Sequence, residues 1–193
     1  MTDYATLAEV KTYIGTDKAT GDTLLSDLIT QASRDIDIHC QRTFTARAET
    51  RSFDALADVY GRDLLLDDDL LSVTALTNGN GSVLAASEYV LLPANQSPKY
   101  AIRLKASASE FWTYDADPEE AISVVGSWGY QNSTVAPDDI RRVAVRLTAW
   151  YFKQRDAPFE ATGLPELGEV IIPTALPTDI QRALAPYVRT VVK

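Results

Sequence analysis

The stretch Gly126-Ser127-Trp128-Gly129-Tyr130, followed closely by Pro137-Asp138-Asp139-Ile140, is where this sequence changes from strand to helix. The first part closes a strand-like apolar run over residues 122–128. The second part opens a long helix, because proline suits the first helical position and aspartates in the first turn favour the helix dipole. Apolar residues then recur at helical spacing: Ile140, Val143, Ala144, Leu147 and Tyr151. The stretch therefore predicts a β-rich region followed by an amphipathic helix.

Residues 1–46 predict a pair of helices that precede the β-rich region. Thr6 and Glu9 have the spacing of a capping box, in which each side chain accepts a hydrogen bond from the other residue's amide. Gly15 is suited to ending this first helix. A second amphipathic helix is predicted over residues 22–40, because its apolar residues also recur at helical spacing. Both helices must bury their apolar stripes against another part of the molecule.

Residues 47–131 predict an inserted, antiparallel β-rich subdomain, because short apolar runs there are separated by turn residues. Within residues 100–104 the apolar and polar positions alternate, as expected for a strand with one face in water. The predicted strands are residues 50–53, 62–66, 71–76, 89–92, 100–104, 111–114 and 122–128. Asn78-Gly79-Asn80-Gly81 predicts a turn, since asparagine and glycine tolerate positive φ.

Residues 132–193 predict long C-terminal helices interrupted by a loop. Prolines and glycines punctuate residues 157–176 around the apolar centre Val170, Ile171 and Ile172, which predicts a long loop or arm. A final helix is predicted to begin at Pro177 and to kink or end at Pro186. The predicted fold class is α+β: a helical bundle, built from the N-terminal helix pair and the long C-terminal helices, with an inserted antiparallel β subdomain.

The composition limits the classes of function. With 193 residues, 46% of them hydrophobic, the chain can bury a core. The formal net charge of −9 repels phosphate, which disfavours general binding of DNA or RNA. The lone Cys40 excludes an internal disulfide, in keeping with a reducing cytoplasm. We find neither the pattern of a signal peptide nor an apolar run of about 20 residues, so a soluble, intracellular protein is expected.

The sequence indicates no catalytic residue, no cofactor and no metal site. His39 is the only histidine, and its neighbour Cys40 cannot face it from the adjacent helical position, which disfavours a catalytic triad. Asp67, Asp68 and Asp69 lack the alternating spacing and the glycine of a calcium loop. They are predicted to form a solvated turn or, as the alternative, a charged contact with a partner. A carboxylate pair typical of hydrolases stays open, since any two acids can meet in the fold.

Basic residues on the long helix give the most distinctive charge pattern. Arg142, Arg146 and Lys153 fall on one ridge opposite the apolar stripe. In so acidic a protein this basic ridge predicts a docking surface for the acidic face of a neighbouring subunit. The alternative is an ordinary solvated helix face. The triplet from Asp67 to Asp69 is a candidate for the complementary acidic patch, and the arm around Ile171 for adding a strand to a neighbour's sheet edge.

The order of these features resembles that of head-tail connector (adaptor) proteins of tailed bacteriophages and prophages. The resemblance rests on the helical pair over residues 6–44, the β insertion after it, and Gly129-Tyr130 followed by Pro137 and the long helix over residues 139–152. It extends to the C-terminal tail Leu184-Ala185-Pro186-Tyr187-Val188-Arg189.

The resemblance implies a structural virion protein without enzymatic activity, assembled in the cytoplasm of the host bacterium. Such proteins form a ring of about twelve copies that joins the portal of the phage head to the tail and extends the DNA channel. The implied partners are the portal protein and a tail or stopper protein, with DNA passing through the channel without specific binding and no membrane involved. A different tail-completion or stopper protein is the main alternative, and a hydrolase with an unrecognised carboxylate pair is a further one.

Overall fold

The computed structural model describes residues 2–154 and 176–190. Within these ranges the chain divides into two compact units. A helical unit contains residues 2–41, 136–154 and 176–189, and a sheet unit contains residues 42–135. The sheet unit is thus inserted, along the sequence, between two helical parts.

The helical unit contains four helices: α1 (Leu7–Ile14), α2 (Asp22–Cys40), α3 (Asp138–Gln154) and α4 (Thr178–Leu184). A 3-10 turn, Ala185–Tyr187, follows α4. Helix α3 contacts the other three helices. Its fully buried positions include Ile140, Val143, Ala144 and Leu147, the members of the apolar stripe that the sequence predicts. Tyr151 donates a hydrogen bond to Asp35 of α2 at 2.6 Å, and burial together with this bond raises the pKa of Tyr151.

The start of α1 is held by the predicted capping box. The Thr6 hydroxyl accepts a hydrogen bond from the Glu9 amide at 3.3 Å, and the Glu9 carboxylate accepts one from the Thr6 amide at 2.8 Å. The Glu9 carboxylate also pairs with Arg141 of α3. The hydrogen bonds from Thr6, helped by Arg141, lower the pKa of Glu9 below its ordinary value of 4.5. At the other end, Gly15 adopts a left-handed φ of 78° and ends the helix as predicted.

Replacing Glu9 with glutamine is expected to flatten the acid dependence of the helical unit's stability. Because the pKa of Glu9 is lowered in the folded state, its charge stabilises the fold above pH 4.5, and this contribution is lost as the pH falls through the lowered value. Glutamine keeps the capping geometry but does not titrate, so the loss at neutral pH should be small, about 0.5 kcal/mol.

Thermal unfolding at neutral pH and below pH 4.5 measures this effect. The control is Thr6→Ala, which removes the cap at every pH and should cost about 1 kcal/mol. A Glu9→Gln variant that destabilises in acid as steeply as the wild type would contradict the assignment.

The sheet unit contains six strands: β1 (Arg47–Phe53), β2 (Val59–Tyr60), β3 (Asp63–Thr77), β4 (Tyr89–Leu92), β5 (Lys99–Leu104) and β6 (Ile122–Trp128). They form one antiparallel sheet in the order β1-β6-β3-β5-β4, with β2 paired to β3. The first part of β3 pairs with β5 and the second part with β6, and the register shifts along both ladders. Strand β3 is therefore the element that joins the two sides of the sheet.

Trp128, at the end of β6, lies in the centre of the sheet unit's core. Its ring is fully buried, stacks on Phe53 with 6.1 Å between centroids, and donates from the indole nitrogen to the Glu49 carbonyl at 3.2 Å. Two residues earlier, a side-chain Cβ at Gly126 would overlap the carbonyl oxygen of Ser72 on β3. Glycine at position 126 allows β3 and β6 to approach each other, which explains why the stretch from Gly126 to Tyr130 begins with glycine.

The predicted fold class, a helical bundle with long C-terminal helices, is wrong. In the described part of the chain, the C-terminal α4 has only seven residues, and a six-stranded antiparallel sheet forms a unit of its own. Helix α4 ends early because Pro186 cannot continue its hydrogen bonding. The two strands predicted over residues 62–66 and 71–76 are one continuous strand, β3.

The other predicted strands agree with the structure in part. Residues 89–92 and 122–128 form strands β4 and β6 with the predicted bounds, and β1 and β5 begin earlier than predicted by three residues and by one. Residues 111–114 form no strand, although Tyr114 makes an isolated bridge with Gly79. The short strand β2 was not predicted.

Candidate assembly surfaces

The two residues considered for a catalytic triad, His39 and Cys40, lie side by side at the end of α2. Cys40 is fully buried at the end of α2, and the adjacent His39 is half-buried. Across residues 2–154 and 176–190, no three His, Cys, Asp or Glu side chains are grouped so that they could hold a metal ion. None of the helices in these ranges combines the length and apolar character that crossing a membrane requires.

The predicted basic ridge lies on α3, and its three members differ in their surroundings. Arg142 is the most open of them, with 75% of its side chain exposed and a 3.5 Å ion pair to Asp139. Arg146 is 45% exposed and pairs with Asp179 of α4. Lys153 is exposed near the end of α3. Since an exposed ion pair contributes little to stability, Arg142 is the ridge arginine that a partner can engage at the lower cost.

A groove of about 380 Å³ runs beside the ridge, between α1 and α3, and we call it the α1–α3 groove. Its largely apolar lining includes the exposed ring of Tyr13 and the half-buried Val145. Arg141 lies in its wall, held by Glu9 and by Asp138, the latter at 3.1 Å. Two ridge residues, Arg142 and Arg146, complete the lining. The groove therefore combines an apolar surface with arginines at its rim.

Asp67, Asp68 and Asp69 lie within strand β3, and not in the solvated turn that the sequence predicts. Asp68 is buried and accepts hydrogen bonds from Arg47 and from Arg51, the latter at 3.0 Å. Asp69 is buried as well. Asp67 pairs with Arg51 at 2.6 Å but keeps 62% of its side chain exposed. Of the predicted acidic patch, Asp67 is therefore the member that a partner can contact.

The arginines around Asp68 belong to a charge network on the sheet unit. Arg47 also pairs with Glu49 at 3.0 Å, and the guanidinium of Arg51 lies 5.0 Å from the centre of the Trp128 ring. Burial lowers the pKa of Arg47, but the charge of Asp68 and the hydrogen bonds to Asp68 and Glu49 raise it by more. The network thus favours the charged form of Arg47. Sequence patterns could not reveal this charge network, because its arginines are on β1 and Asp68 is on β3, and these strands are not neighbours in the sheet.

One part of the predicted assembly surface lies outside the described residues. Except for its last residue, the predicted loop over residues 157–176 lies outside the described ranges. The centre of the predicted arm, Val170, Ile171 and Ile172, belongs to that loop. Their role in assembly stays a prediction.

A further surface, which the sequence interpretation missed, is the segment of residues 111–120, here called the acidic loop. Phe111 and Tyr114 are exposed at its start. It carries four exposed carboxylates within six residues: Asp115, Asp117, Glu119 and Glu120. None of these four forms an ion pair with another described residue. The run Asp115-Ala116-Asp117-Pro118-Glu119-Glu120 was visible in the sequence and is the signal that could have found this surface.

Hydrogen bonds to the main chain hold the acidic loop in place. The Asn78 side chain donates to the Phe111 carbonyl at 2.7 Å and accepts from the Thr113 amide at 3.2 Å. The Trp112 indole donates to the Arg62 carbonyl at 2.9 Å, and the Arg62 guanidinium lies 4.8 Å from the centre of the Phe111 ring. The loop is therefore fixed to the sheet unit by side chains that the sheet itself positions.

The fold is one that solved structures of a phage-like particle share. No protein-family model and no curated protein sequence matches the chain. Among the structural matches are chains from the neck of the native gene transfer agent particle, computed with C12 symmetry, from the neck of the empty particle, computed with C6 symmetry, and from the virion of the native particle. Each covers 97% of this chain and 90% of the matched chain.

The TM-scores are 0.58, 0.57 and 0.57, with sequence identities of 15%, 15% and 18% in the same order. At such identities the likeness shows the fold. The chain accordingly has the fold of a phage-like neck protein, which confirms the resemblance to head-tail connector proteins that the sequence predicts.

Proposed function

We propose that this chain is the subunit of a ring that joins the portal of a phage-type head to the tail and extends the DNA channel. The observation that carries the proposal is the shared fold with chains of a particle neck, over 97% of this chain, in assemblies computed with C12 or C6 symmetry. A ring of about twelve copies follows by analogy with that symmetry. The role is structural and non-enzymatic, and needs no cofactor.

In this proposal the portal protein contacts one side of the ring, and a tail or stopper protein contacts the other. The ring is a component of the virion, assembled in the cytoplasm of the host bacterium. The basic ridge supplies part of a subunit contact, because a closed ring of identical chains requires two different, complementary patches on every subunit. The ridge residues are Arg142, Arg146 and Lys153, with Asp67 as an exposed acidic residue on the other unit.

The net charge of −9 supports a channel through which DNA passes without specific binding. An acidic wall repels the DNA backbone, whereas cations contacting many phosphates would add up to tight binding and hold the DNA in place. A strongly basic lumen in the assembled ring would contradict this part of the proposal.

The proposal is tested by the mass of the protein in solution, measured by light scattering or native mass spectrometry over a wide range of concentration. We expect a closed assembly near twelve subunits. A tight dimer at every concentration would contradict the ring.

Reversing the charge of the ridge, with Arg142→Glu and Arg146→Glu together, is expected to abolish the ring by placing acids against an acidic neighbour. The measurement is the same solution mass, and circular dichroism verifies that the variant folds although its pair with Asp179 is lost. Arg182→Glu is the matched control, because Arg182 is exposed on α4 and lies outside the ridge. If the double variant still assembles, the ridge is not part of the subunit interface, and the proposed ring itself is not contradicted.

A further inference from the structure

The α1–α3 groove exposes an aromatic ring and a cation on a largely apolar surface. Tyr13 is 56% exposed, and Arg142 lies at the rim with a weak ion pair of its own. Tyrosine and arginine are residue types in which the binding energy of protein interfaces concentrates. The volume of the groove suits a few side chains of a partner.

The acidic loop has the chemistry that complements this groove, and it lies on the other unit of the chain. Its four carboxylates make no ion pair within the described residues, and Phe111 stays 63% exposed although Arg62 covers one face of its ring. Because Asn78 and Arg62 already fix the start of the loop at residues 111–113, docking of Phe111 would cost little conformational entropy. Exposing Phe111 to water does not stabilise the isolated unit, and exposed apolar surface of this kind often marks an interaction site.

We propose that the acidic loop of one copy docks in the α1–α3 groove of the next copy. Phe111 packs against Tyr13 and Val145, and the loop carboxylates surround Arg142. Charge complementarity selects this occupant: the loop offers four carboxylates without ion-pair partners in the described residues, whereas the triplet on β3 offers Asp67 alone. The inference rests on the proposed ring, because a contact between two different patches of identical chains repeats around a closed ring.

A covalent trap tests the contact directly. The variant Arg142→Cys with Glu119→Cys, treated with a short bismaleimide cross-linker, is expected to give a ladder of covalent oligomers on a denaturing gel, because each cross-link would join two copies while the proposed contact is too long for a direct disulfide. The native Cys40 is fully buried and stays in place. The matched control, Arg182→Cys with Glu119→Cys, moves one thiol to an exposed position outside the groove and should give no ladder.

A charge exchange gives the second test. Arg142→Glu alone should weaken association by about tenfold or more at each contact, as should Asp117→Arg with Glu119→Arg. All three substitutions together should restore part of the association, because the new acid in the groove then meets the two new bases of the loop. Asp27→Arg, an exposed reversal on α2 away from both surfaces, should leave the solution mass unchanged.

The outcomes separate this contact from the function on which it rests. A ladder together with rescue by the exchanged charges establishes the contact. Rings of normal mass without a ladder, or without sensitivity to Arg142→Glu, overturn the contact and leave the proposed function intact. A chain that forms neither rings nor a ladder contradicts both.

Discussion

Replacing Trp128 with alanine is expected to lower the free energy of unfolding of the sheet unit by about 3–5 kcal/mol. The indole ring is fully buried, stacks on Phe53 and lies beneath Arg51, so alanine leaves a cavity in contact with both. The substitution also removes the indole N–H that donates a hydrogen bond to the Glu49 carbonyl at 3.2 Å. Equilibrium unfolding in urea, followed by far-ultraviolet circular dichroism, measures the loss without depending on tryptophan fluorescence.

Two further variants separate the contributions of Trp128. Trp128→Phe keeps an aromatic ring in the core but loses the hydrogen bond to Glu49, and should cost about 1–2 kcal/mol. Val125→Ala, on the same strand at a partly exposed position, should cost less than about 1 kcal/mol and serves as the control. If Trp128→Ala behaved like Val125→Ala, the position of Trp128 at the centre of the core would be wrong.

Replacing Asp68 with asparagine is expected to destabilise the sheet unit by about 2–4 kcal/mol, since breaking a buried ion pair leaves its partner charge uncompensated. The Asp68 carboxylate is 11% exposed and lies between Arg47 and Arg51, and asparagine keeps its shape while removing its charge. The two arginines are partly exposed, so the loss should be below that of a fully buried network.

Asp67→Asn is the matched control for Asp68→Asn, one position away on the same strand. Asp67 also pairs with Arg51 but is largely exposed, so its loss should cost less than about 1 kcal/mol and fade in high salt. Urea unfolding of both variants at low and high ionic strength gives the comparison. Equal costs for the two substitutions would show that burial does not govern this network.

The ends of the helices could be predicted from the sequence because their chemistry is local. Thr6 and Glu9 form the expected capping box, Gly15 ends α1, and α3 begins directly after Pro137. Strands β4 and β6 were found with their full bounds, since each is a short apolar run between turn residues. Where a few neighbouring residues determine the conformation, sequence patterns were sufficient.

The continuity of β3 could not be predicted, because it depends on residues far away in the chain. Three successive aspartates resemble a turn, and they remain in the strand because Arg47 and Arg51, on another strand, neutralise Asp68. The predicted helical bundle failed for a related reason, since the size of the sheet depends on which runs pair with each other. Residues 111–114 have a strand-like composition, yet Asn78 and Arg62 hold this part of the chain as a loop.

The basic ridge was predictable because one helix carries it. The ridge of Arg142, Arg146 and Lys153 follows from helical spacing within α3, and all three side chains are at least partly exposed. The α1–α3 groove needs two helices that are distant in sequence, so no pattern within either helix reveals it. The partners of the ridge remain predictions until the assembly is measured.

Strand β6 is the last strand of the sheet in chain order, yet it lies between β1 and β3. It pairs Arg47 with Trp128, and Thr77 with Ser123. During synthesis β1 must therefore wait for residues 122–128 before it can join the sheet, and closing so long a loop is slow relative to forming local contacts. Within the described residues β1 pairs with β6 and with no other strand, so its backbone stays unpaired until residues 122–128 are available.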